Sequence, residues 1–190
     1  MDRSEKQKRL ETWMAQLERM SHASTDEPPL LRTETLRSWL EMRPPQRRVL
    51  LVDVREPEER RVSILRTAVT PLEAERQIQQ QVKKRWEAEH AVLVAYCTAG
   101  VRSGAYARAW LARHPEWRGR VYNAEGILGA TYIAPELIVD AESGESVRRV
   151  HVYTAAWDWA ADGFDTERYS PWQVTARQAR DVWSRWRGKG

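Results

Sequence analysis

Apolar residues recur at helical spacing near the start of the chain. Leu10, Trp13, Met14, Leu17 and Met20 fall on one stripe of an otherwise charged stretch, which predicts an amphipathic helix over residues 3–20. Ser21 to Pro29 breaks that pattern and reads as a linker. A short helix from Glu34 to Met42 follows, with Thr33 as its cap, and it ends before Pro44-Pro45. Val49 to Val54 and Val92 to Tyr96 are nearly unbroken apolar runs, the signature of strands covered on both faces. Val121-Tyr122 reads as a third, shorter strand. Glu73 to Glu89 carries a helical pattern with little apolar surface, and Ser103 to Arg113 carries another, with Ala105, Ala109 and Ala112 placed to let it pack closely.

This alternation of strand and helix predicts an α/β fold: a three-layer α/β/α domain with a central parallel sheet. Beyond Ala134 the pattern changes. Leu137 to Asp140 and Val147 to Tyr153 flank Glu142-Ser-Gly-Glu145, which reads as a hairpin. Trp157, Trp159 and Phe164 follow in a loop. Ser170 and Pro171 then open a last helix with Trp172, Ala176, Ala179, Trp183 and Trp186 as its apolar stripe. The chain therefore divides into an N-terminal helix and linker (1–29), the α/β domain (30–134) and a C-terminal extension of hairpin, Trp-rich loop and helix (135–190) packed on the domain. The first helix either docks on the domain's own core, the ordinary fate of such a stripe, or forms a homodimer contact. The extension covers one side of the site, makes a dimer, or enlarges the core.

Composition narrows the class. Hydrophobic residues make up 42% and charged residues 31% of 190 positions, a globular balance. No apolar run is long enough to cross a membrane, and no apolar segment follows the basic N-terminus, so neither a membrane span nor a secretory signal is expected. The net charge is +4, and the basic pairs are scattered among acids rather than gathered on one face. Nucleic acid is therefore not an expected partner. A single cysteine excludes an internal disulfide and suits a reducing cytoplasm.

That cysteine, Cys97, stands at the carboxyl end of a predicted strand and opens a loop that leads into a helix: Cys97-Thr98-Ala99-Gly100-Val101-Arg102-Ser103. First-turn amides and the helix dipole favour an anion there, a thiolate included. Gly100 permits the backbone angles of a tight ring, Arg102 supplies a fixed positive charge that holds the loop, steers an anionic donor, or both, and Ser103 offers a hydroxyl. Asp53 also lies at the end of a strand, and in parallel sheets that end is where ligands bind. Tyr96 and Tyr106 border this region. His22, His90, His114 and His151 are spread singly, with no metal-ligand spacing, and read as ordinary residues.

The loop resembles that of the rhodanese-like sulfurtransferases, which carry Cys-x-x-Gly-x-Arg followed by Ser or Thr. Val49 to Glu59 is similar to the strand and Asp-x-Arg-x-x-x-Glu turn that opens such a domain, here Asp53, Arg55 and Glu59. Val121-Tyr-Asn-Ala-Glu-Gly126 resembles its last strand and following turn. The three motifs stand in the family's order over residues 30–134. The resemblance implies a thiosulfate or persulfide sulfurtransferase. Sulfane sulfur would pass from thiosulfate or a low-molecular-weight persulfide through a Cys97 persulfide to cyanide or a thiol acceptor, small molecule or protein. Residues 98–103 would bind the outer sulfur, with Asp53 and Arg55 as supporting residues and no metal or other cofactor. Two stretches depart from the family. Its Gly-His-Ile-Pro-Gly-Ala segment stands here as Ser63 to Ala68, and its closing Gly-Gly-x-x-x-Trp survives only as Gly126. A non-catalytic, partner-binding module of the same fold is the alternative. A cysteine phosphatase or arsenate reductase fits less well: those loops run Cys-x5-Arg and hold a larger oxyanion, and arsenate reduction commonly needs a second cysteine.

Overall fold

The computed structural model describes residues 3–22, 27–42, 47–81 and 91–177. Its centre is a parallel sheet of four strands: β1 (Leu30–Leu31), β2 (Arg48–Asp53), β4 (Ala91–Tyr96) and β5 (Val121–Ala124), in the order β1-β5-β4-β2. Side chains alternate across a strand, so each face takes every second residue. Leu50, Val52, Leu93 and Ala95 point into one core with Ala107, Trp110 and Trp117. Leu51, Val92, Val94 and Tyr96 point into the other with Leu36, Ile127 and Leu128. Both faces are thus buried, which is why the central strands carry no polar alternation. Fully burying one such aliphatic side chain contributes about 1.5–3 kcal/mol.

Helices α4 (Pro71–Gln81) and α5 (Val101–Arg113) cover the first face. Helices α1 (Arg3–Ser21), α2 (Thr33–Glu41) and α6 (Ile127–Ile133) cover the second. The protein is a three-layer α/β/α fold. The α1 stripe docks on this core: Leu10, Met14 and Leu17 are buried, Trp13 is half-buried, and only Met20 stays exposed. The part of the expected helix at 73–89 that lies beyond Gln81 is outside the described residues.

Several local expectations are corrected. Thr33 is the first residue of α2 rather than its cap. Its N–H and hydroxyl both donate to Glu125, a carboxylate from the turn after β5 that occupies the positive end of the helix. In α5 the alanines 105, 109 and 112 face solvent, while Ser103, Gly104, Ala107 and Trp110 meet the sheet. Fully buried Trp110 sets that face, and its size outweighs the closer approach alanines would allow. The expected hairpin forms only next to its turn, where Val139 and Ser146 make a single antiparallel bridge. Asp140 N–H donates to the Glu145 carbonyl and Val147 N–H to the Ile138 carbonyl. The arms then part: β6 (Ile138–Val139) pairs antiparallel with β3 (Ile64–Leu65), and β7 (Arg149–His151) runs parallel to β8 (Asp165–Glu167). In the last helix, described over 171–177, Trp172 is 71% exposed and Arg177 is the buried residue, held by Glu58 and lying over the Tyr169 ring. Ala179, Trp183 and Trp186 lie outside the described residues.

Candidate functional site

Parallel register sets Asp53, at the end of β2, beside Tyr96, at the end of β4, and Cys97 follows immediately. The next six residues turn back over the sheet and enter α5, with Gly100 at a left-handed φ of 85° as the helix cap. Cys97, Thr98, Ala99 and Ser103 are buried.

The shape of this loop is held from outside. The Cys97 carbonyl accepts from Ile127 N–H (2.9 Å) and the Thr98 carbonyl from Leu128 N–H (3.2 Å). The Ala99 carbonyl accepts from Trp13 Nε1 (2.8 Å) and the Gly100 carbonyl from Asn123 Nδ2 (2.9 Å). Donors from α1, β5 and α6 therefore take every carbonyl from 97 to 100. In a planar trans peptide the following N–H points the opposite way. Among the described residues, none of the backbone N–H groups from Thr98 to Ser103 donates to a protein acceptor. Gly126 makes the arrangement reachable. Its φ is 94°, and a Cβ there would stand 2.5 Å from the Thr98 carbonyl oxygen, so only glycine lets α6 come this close. The Ser103 hydroxyl lies 3.4 Å from Cys97 Sγ as a donor.

Beneath the loop sits Glu59, fully buried in α3 (Pro57–Val62). It accepts two hydrogen bonds from the fork of Arg102 (2.6 and 2.7 Å), one from the Thr98 hydroxyl (3.2 Å), and one from Glu56 N–H (3.0 Å), which closes a capping box. Burial alone would push its pKa up. The hydrogen bonds and charge of Arg102, with the charge of Arg55, outweigh that and hold the carboxyl below its ordinary value. Arg102 thus anchors the loop, its fork closed on Glu59.

Asp53 and Arg55 do not reach the cavity. They form a fully buried pair, Arg55 Nη2 to Asp53 Oδ2 at 2.7 Å and Nε to Oδ1 at 3.0 Å. Tyr96 joins it: its hydroxyl donates to Asp53 and accepts from Leu65 N–H, and Arg55 also donates to the Ser63 carbonyl. This triad ties β2, β4 and the Ser63 to Ala68 stretch together. Tyr96 is therefore a core residue and does not border the site. Tyr106 packs near Trp110 on the opposite face of the sheet.

A cavity of about 220 Å³ opens above the loop. Cys97, Thr98, Ala99, Val101 and Arg102 form its base, and Tyr153 and Trp157 form a wall. The C-terminal extension thus covers one side of the loop. His151, which the sequence marks in no way, lies under the same place. Its Nδ1 accepts from Tyr153 N–H (3.1 Å) and stands 3.8 Å from Glu59. Nδ1 being an acceptor, the ring proton belongs on Nε2. Burial, with the charges of Arg55, Arg102 and Arg177, lowers its pKa to about 4 against the pull of Glu59. A group whose folded pKa lies below its unfolded value contributes stability that is present above about pH 6.5 and is lost as pH falls towards 4. Replacing His151 with asparagine, which keeps an acceptor for Tyr153 N–H, is expected to remove about 2–3 kcal/mol of acid destabilisation across that window. Urea unfolding at pH 7 and pH 4.5 checks this; equal pH dependence in both proteins would refute it.

No family model matches this chain, and no curated protein matches it. A solved structure, the BH2092 protein from Bacillus halodurans, is similar at 21% identity over 66% of this chain and 80% of that one, with a TM-score of 0.33. A likeness of that size defines neither fold nor function.

Proposed function

We propose that this chain is a rhodanese-like sulfurtransferase that carries sulfane sulfur on Cys97. The observation that carries this reading is the loop whose carbonyls from 97 to 100 are all drawn outward, leaving the N–H groups of residues 98–103 without acceptors among the described residues, around a buried thiol. Such a ring is preorganised for one anionic atom bonded to Sγ. The Cys97 thiolate attacks the outer sulfur of thiosulfate. A new sulfur–sulfur bond forms, the bond inside thiosulfate breaks, and sulfite leaves with its electron pair. The outer sulfur of the persulfide then bears the negative charge, facing the amides and the Ser103 hydroxyl. Cyanide or a thiolate takes that sulfur and returns the Cys97 thiolate. The four residues between Cys97 and Arg102 favour this over oxyanion chemistry, because the ring is sized for one sulfur. The open cavity above Cys97 favours a catalytic loop over a module that only binds a partner.

The test is intact mass after incubation with thiosulfate, with cyanide turnover measured alongside. The wild-type chain is expected to gain one sulfur and lose it to cyanide, and Cys97→Ser to gain none. No gain from thiosulfate or from glutathione persulfide would replace this reading with that of a partner-binding module.

A further inference from the structure

The wall of the cavity is aromatic, and its one charged residue is already paired. Arg102 closes its fork on Glu59, and the Tyr153 ring lies over its face at 4.8 Å. Below it Arg55 is paired with Asp53, and His151 is neutral near pH 7. The formal charges of Asp53, Arg55, Glu59 and Arg102 cancel. Among the residues lining the cavity no other cation is present. Above the base, a ligand meets the rings of Tyr153 and Trp157 and the half-exposed side chain of Val101. Aromatic faces are electron-rich and bind apolar groups in preference to anions.

Those rings are held in place. Trp157 stands edge-on to Trp13 at 5.1 Å and contacts Trp159 at 4.8 Å, while Trp13 is itself bonded to the loop. Tyr153 stands edge-on to Tyr169 at 5.4 Å, and its backbone sits at a φ of 69°, a left-handed conformation uncommon for a non-glycine residue. The bond from its N–H to His151 holds it there. Local strain of this kind is sustained where surrounding structure demands a particular side-chain position. The volume equals that of about seven waters, so the part of a ligand that enters the cavity is small.

Resting on the sulfurtransferase reading, we infer that Tyr153 and Trp157 select an organic persulfide with a small apolar or aromatic group as the sulfur donor, in preference to anionic donors. The Cys97 thiolate attacks the outer sulfur of R–S–SH. The Cys97–sulfur bond forms, the R–S to sulfur bond breaks, and the thiolate RS⁻ leaves with the electron pair. It then takes the proton from the new persulfide, which remains as an anion among the loop amides. The group R lies against the two rings during attack.

Two persulfides with the same reacting bond separate this from intrinsic reactivity: benzyl persulfide and the persulfide of 2-sulfanylethanesulfonate. Loading of Cys97 is followed by intact mass on quenched samples. The benzyl donor is expected to load the wild-type chain roughly tenfold faster, the sum of contacts to two rings. Trp157→Ala should collapse that ratio, and Trp157→Phe, which restores a ring, should retain most of it. Equal loading by the two donors, or a ratio unchanged in Trp157→Ala, would overturn the donor inference and leave the sulfur chemistry standing. No loading by either donor, or by thiosulfate, would overturn both.

Discussion

Replacing Arg55 with alanine is expected to lower the unfolding free energy by about 3–5 kcal/mol, a large part of the total for a chain of this size. The pair with Asp53 is fully buried, and neither partner can reach water. Without Arg55, Asp53 keeps only the Tyr96 hydroxyl and the residue 55 N–H as donors for a charge in a low-dielectric core. The Ser63 carbonyl loses a donor as well. The intact pair adds little net stability, because burying both ions offsets their attraction; the cost arises from leaving one charge alone. A urea midpoint measures this directly. A loss of under about 1 kcal/mol would mean that Asp53 finds solvent or another donor.

Arg102→Ala is expected to act on both stability and chemistry. It removes two of the four hydrogen bonds to Glu59, whose side chain is 0% exposed. Burial then dominates the Glu59 titration, and its pKa rises where Arg102 had held it down. The sign of its pH dependence reverses. In the wild type, the Glu59 contribution is present above about pH 4.5 and is lost as pH falls through the folded value. In the variant, stability is lost as pH rises through the raised value. The deficit of the variant against wild type should therefore grow between pH 4.5 and pH 7.5, reaching about 3 kcal/mol at the upper end. With its anchor gone, the loop loses the Glu59–Arg102–Thr98 bonds that brace it, and on the sulfurtransferase reading sulfur loading of Cys97 should fall about a hundredfold. Arg102→Lys keeps the charge but not the fork, and should fall between the two. A pH-independent deficit would show that Arg102 does not control Glu59.

The parts of this fold legible in the sequence are those set by local pattern. Val49 to Val52 and Val92 to Tyr96 are apolar at every position because both sheet faces are covered. The Cys97 to Ser103 loop is one continuous segment with its glycine in place. What escaped is decided by distant partners. Leu30–Leu31 is too short to carry a period, yet it pairs with β5. Thr33 has the chemistry of a cap, but Glu125 arrives from ninety-two positions away to take that place. The two arms around Glu142 to Glu145 read as each other's partners; they pair at one bridge, and beyond it only the finished fold shows that they join β3 and β8. In the site, Glu59 was legible as the last residue of the Asp53-Arg55 turn, whereas its bond to Arg102 was not. Trp13 is marked only as part of a helical stripe and Trp157 as part of an aromatic loop, and nothing local ties them, His151 or Tyr153 to the site. They become part of the site through packing alone.

The loop around Cys97 takes its shape from Trp13, Asn123, Ile127 and Leu128, and its wall from Tyr153 and Trp157. These residues leave the ribosome over most of the length of the chain, with the cysteine in the middle. A nascent chain that ends shortly after Cys97 holds the thiol and Trp13 but lacks Asn123, Ile127 and Leu128, the other donors that turn the carbonyls away, and the aromatic cover. The setting of this thiol is thereby completed only once Trp157 has left the ribosome, so a product truncated before that residue carries the cysteine without its loop donors and its wall.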